Sequence, residues 1–198
     1  SQNFSDFNYA SIVYSKTALV LDYLMEYMTE ANFDEAMRFY YTQFKFKHPT
    51  QSDFIKTLSY FSGKNLNQFE KDFFNSTQKV DYKIKQVKKN TDGTFTLKLK
   101  NKTGLNTPFN IYAYKNHKPM GVVWFDGFDK SRIVTFPKVE ADYFKLDGND
   151  KLQDINRKNN IIKAKGILKK IKPPVIRLAS ITENNFKNPI NIRSEERR

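Results

Sequence analysis

Apolar residues recur every three or four positions in the first third of the chain and every second position after it. Ile12, Leu19, Tyr23, Leu24 and Tyr27, and then Phe33, Met37, Tyr40, Tyr41 and Phe44, fall at helical steps, which set one apolar stripe against a core. The pattern predicts four helices, over about residues 8–29, 32–46, 51–62 and 66–76. The second is expected to open at Asn32, with Glu35 completing a capping box in which each side chain satisfies an orphan backbone donor. The third is expected to start from Thr50 as N-cap, with Asp53 facing the positive end of the helix dipole. Gly63 supplies the left-handed residue that ends it.

Near residue 77 the period drops to two. Val80, Tyr82 and Ile84 alternate with Asp81, Lys83 and Lys85, and Phe95, Leu97 and Leu99 alternate with Thr96, Lys98 and Lys100. Asn90-Thr91-Asp92-Gly93 between them is a hairpin signal. Further strands are expected near Asn110–Tyr114, Gly121–Phe125, Arg132–Phe136 and Tyr143–Leu146. This spacing predicts a small antiparallel sandwich of immunoglobulin-like size. The stretch Ile161–Ile171 suits either a short helix broken at Gly166 or an extended strand, and Pro173-Pro174 ends it. The expected class is α+β and multi-domain: helices over 1–77, a β-sandwich over 78–150, and a basic segment over 151–198 that packs on the sandwich or is partly irregular.

Charge adds to this division. The net charge is +13, but residues 1–76 carry 7 Lys/Arg against 9 Asp/Glu, while residues 77–147 carry 14 against 7 and residues 148–198 carry 13 against 5. The basic excess belongs to the strands and to the C-terminal segment beyond them. There is no cysteine, so disulfides and thiolate metal sites are excluded. No run of about 18 apolar residues reads as a transmembrane segment.

Little in the residues alone points to chemistry. A helical zinc hydrolase needs two histidines one turn apart, a third ligand and a Glu as general base. His48, which precedes Pro49, and His117, within a turn signal, are far apart. They read as surface or packing residues. The seven glycines are scattered singly, so there is no phosphate-binding loop. Asn75-Ser76-Thr77 and Asn101-Lys102-Thr103 match a glycosylation pattern that has meaning only in a eukaryotic secreted protein.

Several local motifs, taken together, carry a resemblance. Tyr14-Ser15-Lys16-Thr17-Ala18 opens an apolar helix from Leu19 to Met28; Asn32 to Tyr41 comes next, then Phe46-Lys47-His48-Pro49 with Asp53-Phe54, Ser62-Gly63-Lys64 with Leu66 and Phe69, and the pair Phe73-Phe74. Residues 9–76 resemble the closing helices of the catalytic domain in bacterial-type, aminopeptidase N-like gluzincins. Residues 80–160 are loosely similar to the β-domain after them, including Trp124 and the Asp154–Asn160 segment. The chain departs from the family at Thr17, where many members have Gly or Ala, and after Phe74, where a Trp often stands.

The resemblance implies that the parent is a zinc-dependent aminopeptidase acting on peptide substrates. This chain would be a C-terminal portion of it, inactive alone, with no cofactor of its own and zinc held by residues not present here. It also implies that Tyr14 stabilises the oxyanion, its phenol donating to the oxygen that gains charge as the scissile carbonyl is attacked. On the residues alone, Tyr14 reads instead as one more aromatic on a buried helix face with Tyr9, Tyr23 and Tyr27, since aromatics at helical spacing belong to a core. A partner is implied in the missing N-terminal part of the catalytic domain, and residues 1–76 are then expected to expose apolar surface that it covers. The alternatives are a basic binding module for nucleic acid, glycan or a membrane surface, with Tyr112, Tyr114, Trp124 and Phe125 as stacking residues, or a catalytically dead peptidase-like scaffold. Nucleic acid is the less favoured partner, because strand aromatics at alternate positions belong to a core. The compartment is not fixed by the chain.

Overall fold

The computed structural model describes residues 10–76 and 78–165. A π-helical segment, Ala10–Lys16, runs directly into helix α1 (Thr17–Met28) and is followed by α2 (Glu30–Phe44), α3 (Gln51–Ser62) and α4 (Asn67–Phe73). The third helix has the predicted ends. The Thr50 amide donates to Asp53 Oδ2 at 2.8 Å and the Asp53 amide donates to Thr50 Oγ1 at 3.3 Å, a complete capping box. Gly63 closes the helix at φ 63°.

The expected capping box at Asn32 is not there. Helix α2 begins two residues earlier, at Glu30, and the Asn32 side-chain amide donates back to the Met28 carbonyl at 3.0 Å. Asn32 therefore closes the open end of α1 instead of starting α2. The two helices are separated by Thr29 alone, held at φ 77° and ψ 146°, a backbone region that a β-branched residue enters only at a cost of about 1–3 kcal/mol.

The strands are β1 (Tyr82–Lys89), β2 (Phe95–Asn101), β3 (Phe109–Lys115), β4 (Lys118–Phe125), β5 (Ser131–Phe136), β6 (Tyr143–Leu146) and β7 (Ile161–Lys163). They form two antiparallel sheets, ordered β1-β2-β5 and β4-β3-β6-β7. The fold is α+β, a helical segment followed by an all-antiparallel sandwich. Its turns obey local chemistry. The Gly93 amide donates to the Asn90 carbonyl at 3.2 Å between β1 and β2, and Asn116 and His117, at φ 50° and 61°, make the two-residue turn between β3 and β4. β7 settles the open reading of Ile161–Ile171 as strand for its first three residues; residues 166–171 lie outside the described residues.

Period-two patterning makes the core. Phe95 and Phe136 from the three-stranded sheet meet Phe144 from the other with ring centroids 4.9 and 5.2 Å apart, filling the space between the sheets as edge-to-face aromatic pairs do. The helices pack on the outer face of the four-stranded sheet. Tyr23 and Tyr27 of α1 lie 5.9 and 4.9 Å from the Trp124 ring on β4, and one cluster of buried apolar side chains includes residues of both parts.

Candidate active-site segment and the helix–sandwich junction

Tyr14 sits in the π-helical segment before α1 and is 65% exposed. It is not a core aromatic. Tyr23, two turns further on, is: it is buried, stacks on Phe69 at 6.0 Å, and its hydroxyl donates to the Pro108 carbonyl. The two tyrosines that periodicity alone cannot separate thus face opposite environments. Tyr9 lies outside the described residues. The start of α1 is tied down by Lys16, whose ammonium donates to the Ser76 carbonyl at 3.3 Å.

Beside Tyr14 in the chain, Ser15, Lys16 and Leu19 form one wall of an open, mostly apolar cavity of about 310 Å³, with Phe73, Leu105 and Leu152 opposite. The helical part also exposes Phe39, Tyr41, Phe46 and Tyr60, large side chains with apolar surface open to a partner.

The junction behind this segment is polar and half-buried. Glu26 of α1 accepts at Oε1 from Asn149 (2.9 Å), Asn110 (3.1 Å) and the Tyr112 hydroxyl (3.3 Å), while its buried Oε2 has no partner. Burial pushes its carboxyl above the usual range, against the lowering effect of these hydrogen bonds and of Lys151. Lys151 pairs with Asp22 one turn earlier on α1. Buried Asp147 accepts the Lys151 and Leu152 amides at 2.9 and 3.1 Å, and burial still raises its carboxyl to about 6. At the next residue of α1, the Lys64 ammonium lies 3.5 Å from the centre of the Tyr27 ring and donates to the Tyr27 carbonyl at 2.6 Å; burial lowers its pKa.

This geometry tests the other candidates. His48 and His117 are both exposed, the first in the segment between α2 and α3 and the second in the β3–β4 turn. Among the described residues no group of three His, Cys, Asp or Glu side chains could hold a metal ion, so these residues do not fit a zinc site. Asn101 is buried and its side chain is fully engaged. It donates to the Leu105 and Phe128 carbonyls at 2.8 and 2.6 Å and accepts the Gly104 amide at 3.0 Å. The folded chain does not offer it for glycosylation. The suggested stacking residues are occupied too: Trp124 on Tyr23 and Tyr27, Phe125 on Phe109 at 5.7 Å, and Tyr114 on Tyr143 at 4.9 Å. Nothing in the sequence marked Glu26 or Asp147, because their partners lie more than 80 residues away or in a loop without a motif.

Residues 2–76 match the family model of the peptidase family M1 domain. This match covers the π-helical segment and all four helices, the part of the chain in which the sequence resembles aminopeptidase N-like enzymes. Among solved structures, the chain is similar to Legionella pneumophila aminopeptidase A in complex with aspartic acid, with a TM-score of 0.57 and 20% identity over 71% of this chain. The likeness, at that identity, is one of fold. The chain spans 17% of the length of that structure. No curated protein matches it. Together the two matches support a resemblance to aminopeptidase N-like enzymes, the family match over residues 2–76 and the structural one as fold alone.

Proposed function

We propose that this chain is the C-terminal portion of a zinc-dependent aminopeptidase that removes N-terminal residues from peptides. The observation that carries the reading is the M1 match over residues 2–76, with Tyr14 exposed at its start and not packed into the core. In this reading the zinc ligands and the general base belong to the rest of the parent, because the described residues offer no such set. The α1–α4 segment forms one wall of the active site and the sandwich braces it from behind through Tyr23, Asp72 and Glu26.

Tyr14 is the catalytic residue of this segment. A neutral phenol aimed at the scissile carbonyl donates a hydrogen bond that strengthens as negative charge gathers on the oxygen, and so favours the transition state over the bound peptide. The chain alone is expected to hydrolyse no peptide. The test is a gene product extended several hundred residues upstream, assayed for chelator-sensitive release of amino acids from aminoacyl reporters, with Tyr14→Phe as the paired variant. A fall of about 10²-fold or more in kcat supports the assignment; an inactive parent, or one indifferent to the change, removes it.

A further inference from the structure

The outer face of the three-stranded sheet is a lysine plane. Lys83 and Lys88 of β1 and Lys98 and Lys100 of β2 project to the same side, with Lys85 added at the β1 bulge. The inward positions between them, Tyr82, Ile84, Val87, Leu97 and Leu99, are buried. β5 completes the face with Ser131, Ile133 and Thr135, so these three strands put no carboxylate on it. None of the five lysines takes part in an ion pair among the described residues; the ammonium groups that do are those of Lys102, Lys115, Lys145 and Lys151.

This arrangement works against the fold. Lys83 stands directly opposite Lys100 in the register, and like charges facing each other across strands are destabilising. Lysines on edge strands protect a sheet from pairing with other chains. That reason covers β1, but Lys98 and Lys100 are on β2, the central strand, where no edge needs protecting. A cationic plane kept at a cost to stability, without neutralising partners among the described residues, fits an anionic surface.

We propose that this sheet face docks on an anionic lipid bilayer. Two open concavities, of about 360 and 230 Å³, lie between its side chains, and its strands put no aromatic side chain on it for a nucleobase to stack on. Its cations are all lysines, strongly hydrated point charges that suit diffuse attraction to a charged plane, whereas phosphate recognition by shape favours the arginine fork. Ile133, 66% exposed and paired in register with Lys98, sets an apolar side chain among the ammonium groups, where it can enter the headgroup layer. The proposal is independent of the peptidase reading.

The test is co-sedimentation of the 198-residue chain with phosphatidylcholine vesicles containing or lacking about one quarter phosphatidylserine, at about 50 and 200 mM salt. Binding is expected only to the anionic vesicles and to weaken with salt. Lys98→Glu with Lys100→Glu is expected to weaken it at least about 20-fold, since each basic residue near such a surface is worth about fivefold. The same pair is expected to leave the thermal midpoint unchanged or raised, because Lys100→Glu puts an opposite charge across from Lys83. Lys98→Gln with Lys100→Gln serves if the reversal prevents folding. A control pair, Lys45→Glu with Lys56→Glu on the helical part, changes net charge equally and is expected to leave binding within about twofold. Equal loss in the control, no loss in the face variants, or capture of an RNA or DNA oligomer with no vesicle binding would each overturn the proposal.

Discussion

The Thr107 hydroxyl donates to Asp72 Oδ2 at 3.0 Å, and both residues are buried. Asp72 lies in the last turn of α4 and Thr107 precedes β3, so this one hydrogen bond joins the last helix to the sandwich. Gln68, one turn earlier on α4, donates to the other carboxylate oxygen at 2.8 Å. The carboxylate is thus tolerated away from water because each of its oxygens has a donor.

Thr107→Val keeps the shape of the side chain and removes the donor, leaving one buried carboxylate oxygen bare. The expected loss is about 1–3 kcal/mol, the desolvation penalty of an unmatched charged acceptor. Urea unfolding followed by far-UV circular dichroism measures it, and a change under about 0.5 kcal/mol would mean that water reaches Asp72.

Thr29 is strained and has room to be improved. Its φ of 77° and ψ of 146° lie where glycine is at ease and a β-branched residue is not. Thr29→Gly is expected to raise stability by about 1 kcal/mol, the relief of strain outweighing the greater backbone entropy of glycine. A fall in the unfolding midpoint would show that the Thr29 side chain contributes more than its backbone costs.

Local chemistry was legible in the sequence and distant packing was not. Thr50, Asp53 and Gly63 bound α3 through contacts within four residues, and Asn90 to Gly93 make their turn alone, so residue type and spacing were enough. Asn32 misled because an Asn beside a helix start can serve the helix before it as well, and here it does. Thr29 gave no sign, since the break it makes is one for which glycine would be the usual signal. The division of roles between Tyr14 and Tyr23 needed the sheet: Tyr23 is buried because Pro108, Phe69 and Trp124 surround it, all remote in sequence. Periodicity alone could not separate the two tyrosines.

Gly148 lies against the Tyr112 ring, where an added Cβ would stand 2.2 Å from Cδ2 and 2.4 Å from Cγ. The ring is held in turn by Asn149 and Glu26, which its hydroxyl meets at 2.9 and 3.3 Å. Gly148→Ala is therefore expected to cost about 2 kcal/mol or more and to loosen the junction with α1. In a Tyr112→Ala background the same change is expected to cost under about 1 kcal/mol, since the clash is gone; an equal cost in both backgrounds would place the strain in the backbone.

Asp147 gives the fold a pH dependence of determinable sign. Burial raises its carboxyl from 3.8 to about 6, with Asp150 adding to the shift and the Leu152 and Lys151 amides opposing it. A group whose folded pKa is raised binds its proton more tightly in the native state. Its contribution to stability is present in full below about pH 4 and is lost as pH rises through about 6. The shift corresponds to about 3 kcal/mol at most. Glu26 and Asp154 are raised by burial and act in the same direction, while the exposed Asp53, Asp92 and Glu140 are lowered by their hydrogen bonds and act in the other. The total pH profile therefore mixes signs, and the variant isolates the one group. Asp147→Asn cannot ionise, so its stability relative to the natural chain is expected to improve by about 1–3 kcal/mol between pH 4 and pH 7. Urea unfolding of both proteins across that range measures the difference, and a constant gap would mean that Asp147 titrates alike in the folded and unfolded chains.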